Sequence, residues 1–427
     1  MPRSAVISGS IPPITTHPEY PFMPRKAPPQ RRGKPRGPTQ AHRRLSRQAP
    51  AIGEEFPGTV RDLAATGEAI VEHPGGQVCF VPGAWPGERG RFRITGRRGR
   101  AATGALIALE APSPDRVSPP CPHHGHDDAR CGGCPWQFVA YEAQLAAKEA
   151  RLRQALERLG VAEAQARIWA APETLGYRNR ARLRSDGQQI GFLAAGSNRL
   201  APIDDCPVLT ARNRETLAAL RARLPEPAWR PRRRAPLTVL PIDDEQGPEA
   251  VTPNAPQTFR QGNSAQNTRM REWLAGSIAG LAGRPAVELF AGSGNFTDVL
   301  AACGCRPLLA VDSAGDAIAT LEGRGLPAVT TLALDLFAET APAALDAALA
   351  NTKLLVLDPP REGLRQLPSF IRRAPRLSAI RYISCDVATF ARDLGALLDA
   401  GFTLEEVQPL DLFPHTPHLE VLAQLSR

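Results

Sequence analysis

Lysine is almost missing from this 427-residue chain: Lys26, Lys34, Lys148 and Lys353 are the only four among 52 basic residues, so arginine carries the positive charge. Arginine's planar fork suits phosphates and base edges, but so broad a bias reads as genome composition rather than as a site. Acids are scarce at one end. The first fifty positions hold one acid, Glu19, against ten basic residues and eleven prolines. Taking those positions from totals of 52 basic and 43 acidic residues leaves 42 of each, so the net charge of +9 belongs to the tail and residues 51–427 are formally neutral. No apolar run reaches the ~18–20 residues that span a bilayer, and the amino terminus lacks a signal peptide's apolar core. A cytoplasmic protein without membrane contact is expected. Eight cysteines are too few for a disulfide scaffold at this length. Cys121, Cys131 and Cys134 cluster, which in a reducing compartment points to a metal or cofactor site.

Segment 1–50 has too little apolar surface to offset its ordering entropy and is predicted to be a disordered basic tail. Over 51–112, five short β-type runs alternate with glycine and proline turns, among them Gln77-Val-Cys-Phe-Val81 and Ala105-Leu-Ile-Ala-Leu109, and predict a small β-barrel. Six arginines between Glu88 and Arg100, with Phe92 interleaved, suit either a solvated hairpin or an RNA backbone. Residues 113–260 read as a mixed α/β central domain containing the cysteine cluster. Within it Phe138, Tyr141, Leu145, Leu152, Leu156 and Leu159 recur at helical spacing before Gly160. Arg178, Arg180, Arg182 and Arg184 alternate, so one strand face would present all four outward. Over 261–427, apolar runs alternate with helical stretches, which predicts a Rossmann-like parallel α/β sheet.

Three strand ends in that last region carry chemistry. In Glu288-Leu-Phe-Ala-Gly-Ser-Gly-Asn-Phe296 a strand runs into glycines that allow a tight turn and a close ligand approach. Position 297 is Thr, so the dinucleotide fingerprint is incomplete, while Asp312, twenty residues beyond Gly292, suits a ribose. An adenosyl ligand without a pyrophosphate fits, and S-adenosylmethionine is one. Leu357-Asp-Pro-Pro-Arg-Glu-Gly363 holds Asp358 at another strand end, and Cys385 follows a third. Glu420 lies between apolar neighbours, where desolvation would tune it to accept a proton. The spacing of Cys131 and Cys134, with nearby histidines, by itself favours zinc.

Together, Phe259-x-Gln261-x-Asn263, Glu288-Leu-Phe-x-Gly-x-Gly-Asn-Phe296, Asp358-Pro-Pro-Arg-x-Gly363, Ser384-Cys-Asp386 and Phe413-Pro-x-Thr-x-His-x-Glu420 resemble the RNA uridine-5 methyltransferase family, over about 51–427. The front barrel resembles a TRAM domain, and the resemblance is strongest to the branch that modifies 23S ribosomal RNA. It implies a class I methyltransferase fold, S-adenosylmethionine contacts from Gln261, Phe290, Asn295, Asp312, Asp335 and Asp358, and catalysis by Cys385 and Glu420. It also implies a [4Fe–4S] cluster, in preference to zinc, on Cys121, Cys131, Cys134 and Cys206. Two departures stand out: nine residues separate Cys121 from Cys131, more than the family usually has, and Val387 replaces a usual proline.

The chemistry these residues would perform is covalent. Uracil C5 is too weak a nucleophile to take a methyl group unaided, so a Cys385 thiolate at C6 would give it enolate character. An ordinary thiol, with pKa about 8.5, is little ionised at neutrality, so local activation of Cys385 is expected. The target base must leave its stack, which favours single-stranded loops. The expected partner is 23S ribosomal RNA acted on by a monomer. Alternatives are a tRNA methyltransferase or a noncatalytic RNA-binding assembly factor. Deleting residues 1–50 should weaken nonspecific, salt-sensitive RNA binding while leaving methyl transfer at the correct uridine intact; loss of turnover at saturating RNA would show that the tail belongs to the enzyme.

Overall fold

The computed structural model describes residues 50–231 and 236–427, so nearly all of the basic tail lies outside the described residues. Strands Glu55–Leu63 (β1), Ala69–Glu72 (β2), Val78–Val81 (β3), Arg89–Arg98 (β4) and Ala101–Ala111 (β5) close into a barrel in the order β1-β2-β3-β5-β4. Alternation drives it: Phe92 and Ile94 point inward with Phe56, Val60, Val71 and Val81, and the arginines of β4 point out. Those arginines face carboxylates on neighbouring strands. Arg93 donates to Glu55 at 2.6 Å, Arg98 to Glu68 at 2.6 Å, and Arg89 lies 3.5 Å from Glu110. The basic run is therefore largely an exposed cross-strand ion-pair ladder, each rung of which contributes little in water.

A second sheet, Arg180–Ser185 (β6), Ile190–Leu193 (β7), Leu200–Pro202 (β8) and Thr238–Asp243 (β9), runs in the order β8-β7-β6-β9. Leu183, Leu240, Ile242 and Trp229 pack between it and the helix Ala211–Ala222, with Cys131 and Cys206 at the edge of that core.

The third sheet has seven strands: Ala286–Leu289 (β10), Leu308–Asp312 (β11), Val329–Ala333 (β12), Leu354–Leu357 (β13), Ala379–Ser384 (β14), Thr403–Leu410 (β15) and Glu420–Ser426 (β16). Its order is β12-β11-β10-β13-β14-β16-β15. The first five neighbours are parallel, and β16 runs antiparallel between β14 and β15. All four residues of β10 and of β13 are buried, as expected for strands covered on both faces. The order reverses between β10 and β13, and the crevice beyond their carboxyl ends is where such sheets take ligands. The helix Tyr141–Glu157 buries Leu152 and Leu156 in the core of this sheet, although it precedes β10 by more than a hundred residues. Among the described residues no helix is long and apolar enough to cross a membrane.

Candidate active site

The crevice at the carboxyl ends of β10, β11 and β13 is built by turns that leave the strands abruptly. Phe290, first after β10, has φ 65°, a left-handed conformation rare for an aromatic residue, and its ring lies 5.7 Å from that of Phe337. Gly294 has φ 96°, and a Cβ there would meet Leu321 at 2.5 Å, so only glycine fits. Asp312, last in β11, accepts the backbone N–H groups of Gly292 and Ala314 at 2.9 and 2.8 Å, tying the first loop to the second. The Asn295 and Asn267 side-chain amides pair reciprocally at 2.9 and 3.0 Å. Gln261 is buried just ahead of the helix Ser264–Ser277, and its carbonyl accepts from Asn179. Asp335 stands exposed beyond β12, accepting from the Phe337 N–H.

Two further strand ends meet this crevice. Cys385 follows β14 directly, and Glu420 opens β16. Because those strands are antiparallel with Ser384 opposite Val421, the next step of the register sets Cys385 beside Glu420. Glu420 is 4% exposed, whereas Cys385 is half-buried. Burial, then the charge of Asp358, pushes the Glu420 carboxyl up to about 8, with Arg361 opposing. Burial and then Asp312 push Asp358 up to about 7. Cys385 departs from the sequence expectation of an activated thiol. Burial, then Glu420 and Asp358, push it up to about 12, and only Arg361 among its influences pulls it down. The protein alone thus suppresses the thiolate, first by desolvation and then through the charges of Glu420 and Asp358.

Arg361 and His418 are residues of the site that the sequence reading left without a role. The Arg361 guanidinium lies 3.3 Å from the His418 ring nitrogen, and its charge acts on both Cys385 and Glu420. Their presence within the Asp358 and Phe413 motifs was the available signal. Asn263 likewise has a structural task. It caps the helix Ser264–Ser277 through the Gln266 N–H and donates to the Leu412 carbonyl at 3.1 Å.

The four cysteines singled out from the sequence line one cavity. The 131–134 loop lies against the turn after β7, where Cys131 bridges Ala194, and with Cys121 and Cys206 it lines one cavity of about 550 Å³. Arg178, Arg182, Arg184, Arg361, Phe413 and His418 line the same cavity. Arg180 does not join them, because Asp243 of β9 draws its guanidinium away at 3.1 Å. Among the described residues no three His, Cys, Asp or Glu side chains stand as a group that would hold a single metal ion.

A family model described as tRNA (Uracil-5-)-methyltransferase matches residues 343–427. An uncharacterized RNA methyltransferase of Nitrosomonas europaea is 39% identical over 380 residues, covering 87% of this chain and 97% of its own. The 23S rRNA (uracil(1939)-C(5))-methyltransferase RlmD of Halomonas elongata is 33% identical, covering 89% of this chain and 92% of its own. This chain belongs to the RNA uracil-5 methyltransferase family. Its fold is also that of the Pyrococcus abyssi tRNA (uracil-54, C5)-methyltransferase solved with S-adenosyl-L-homocysteine, with a TM-score of 0.62 at 22% identity over 87% of this chain and all of that one.

Within this family member, Glu288 of β10 is a buried acid held by the Thr297 hydroxyl at 2.6 Å and pushed up to about 8, chiefly by burial. Folded Glu288 keeps its proton to about 8, while the unfolded chain loses it near 4.5, so its contribution to stability is complete below 4.5 and lost as pH rises to about 8. Glu288→Gln should flatten the unfolding free energy against pH across that window, measured by urea unfolding; an unchanged slope would mean that Glu288 ionises normally.

Proposed function

We propose that this protein methylates C5 of a uridine in RNA, with 23S ribosomal RNA as substrate and S-adenosylmethionine as donor. The observation that carries the reading is the antiparallel pairing of β14 with β16, which sets a thiol and a buried carboxyl side by side at the ligand edge of a methyltransferase sheet. Full-length relatives named for 23S rRNA methylation favour the ribosomal substrate over tRNA. Cys385 and Glu420 standing together argue against a noncatalytic assembly factor.

The crevice suits the donor chemically. Asp312 ends β11 and Asp358 follows β13 at that edge, and acids so placed favour a cationic ligand over a pyrophosphate. Asp312 would hold the ribose, Asp335 the adenine amine and Phe290 the adenosyl face, with Gln261, Asn295 and Asp358 at the remaining contacts. S-adenosylmethionine supplies the electrophilic methyl group.

The chain's own residues do the rest. Cys385 adds as thiolate to uracil C6, which turns C5 into the nucleophile. After methylation, Glu420 takes the C5 proton. The C5–H electron pair forms the C5–C6 double bond, the C6–S bond breaks, and the Cys385 thiolate is released. An acid pushed up to about 8 holds its proton at neutrality, so this last step should quicken as pH rises through about 8 and level off above it. Arg178, Arg182 and Arg184 would receive phosphates around the flipped base, and the barrel is read as TRAM-like.

Mixed with 5-fluorouridine RNA and S-adenosylmethionine, the protein should form a covalent adduct that Cys385→Ala abolishes. On ordinary RNA, Glu420→Gln should transfer methyl but retain the product, cutting turnover by about 10²- to 10⁴-fold. Failure to trap any Cys385-dependent adduct would overturn the mechanism.

Cys121, Cys131, Cys134 and Cys206 are proposed to hold a [4Fe–4S] cluster. The four thiols line one cavity as an all-sulfur donor set, which an iron–sulfur cluster takes, and the family resemblance of all four positions favours the cluster over zinc. Methyl transfer moves no single electron, so the group would position protein and RNA. Anaerobically purified protein should contain iron and sulfide, lost in Cys206→Ser; stoichiometric zinc without iron would refute the assignment.

A further inference from the structure

In a chain where all but four of 52 basic residues are arginine, one lysine is wholly buried. Lys148 lies on the helix Tyr141–Glu157 and donates to the Asp411 carboxylate at 2.6 Å and to the Phe413 carbonyl at 3.3 Å, with neither side chain of the ion pair exposed. A compact ammonium fits that two-acceptor pocket where a planar guanidinium would overfill it. Tyr141, one face-repeat earlier, donates its hydroxyl to the other Asp411 oxygen at 2.7 Å and accepts the Ala171 N–H at 2.8 Å. Gln144 accepts the His415 N–H at 2.9 Å, and Arg151 donates to the Pro417 carbonyl at 2.7 Å. Residues 141, 144, 148 and 151 recur at spacings of three and four, so one helix face grips the whole segment from Asp411 to Pro417.

That segment closes the hairpin between β15 and β16. Leu410 pairs with Glu420, so Asp411 is the first residue past the closing pair, adjacent in the chain to the partner of Glu420. Trp169 and Gln266 bind the Asp411 backbone from other directions at 2.9 and 2.8 Å. A buried ion pair so placed holds the strand end from which Glu420 projects.

We propose that Lys148 and Tyr141 are positioning residues for the elimination step: by anchoring Asp411 they hold Glu420 in line with the C5 proton, without themselves touching RNA or cofactor. This rests on the reading of Glu420 as the C5 base. The consequence is selective. Cys385 addition and methyl transfer precede the need for Glu420, so loosening the clamp should leave those steps in place and delay only release of the C6–S bond.

The experiment uses the full-length protein, uridine-containing RNA and S-adenosylmethionine labelled in its methyl group. Lys148→Met should lower steady-state turnover about tenfold while single-turnover methyl transfer stays near that of the parent, and methylated RNA should accumulate covalently on Cys385. Tyr141→Phe, which removes one hydroxyl and keeps the ring, should show the same partition more weakly. Should Lys148→Met fail to fold by circular dichroism, Tyr141→Phe decides. Methyl transfer and turnover falling in parallel with no trapped adduct, or parental behaviour in both variants, would overturn the proposal. Parent protein that forms no adduct with 5-fluorouridine RNA would instead count against the covalent mechanism itself.

Discussion

The antiparallel pairing of β14 with β16 is the constraint on which the site depends. In a wholly parallel sheet, strand starts lie at the far edge from the ligand crevice, and a carboxylate opening a strand would be remote from it. Inserting one reversed strand brings the start of β16 to the edge where β10, β11 and β13 end. Cys385 leaves its strand where Glu420 enters its own. Their adjacency is a matter of register, and a slip of one residue would turn Glu420 to the opposite face.

Crowding of acids is the cost of that arrangement. Glu288, Asp358 and Glu420 are all pushed above the ordinary carboxylate range, each first by burial and then by its neighbours. Burial, then Glu420 and Asp358, suppress the Cys385 thiolate, and Arg361 is the cation that opposes these acids at both Cys385 and Glu420. A cationic ligand bound beside these groups would lower the acids and the thiol together.

Basic residues divide into distinct uses. On the barrel they are matched to carboxylates across the strands. Near the cysteine cavity, Arg178, Arg182 and Arg184 face inward, and Arg178 also stacks over Phe413 at 5.6 Å from the ring centroid. Lys148 is different again, buried against Asp411 at the junction of two elements far apart in sequence. A buried pair of this kind adds little net stability over apolar packing, but removing one partner strands a charge, which makes it a specific locking device.

Local order was legible in the sequence alone. Short β-type runs between glycine and proline turns marked the barrel strands, glycines and prolines marked the turns after β10 and β13, and the joint motifs singled out Cys385 and Glu420, which the fold then sets side by side. Those signals concern neighbours along the chain, which fix hydrogen-bond period and strand ends. The helix Tyr141–Glu157 was visible by its leucines, yet the residues it buries besides Leu152 and Leu156 are Gln144 and Lys148, which no apolar pattern reports. Tertiary structure alone decided their partners, the diversion of Arg180 to Asp243, the pairing of barrel arginines with acids and the upward shift of the Cys385 thiol. Each of these depends on desolvation and on distances between groups tens to hundreds of residues apart, quantities that sequence spacing does not encode.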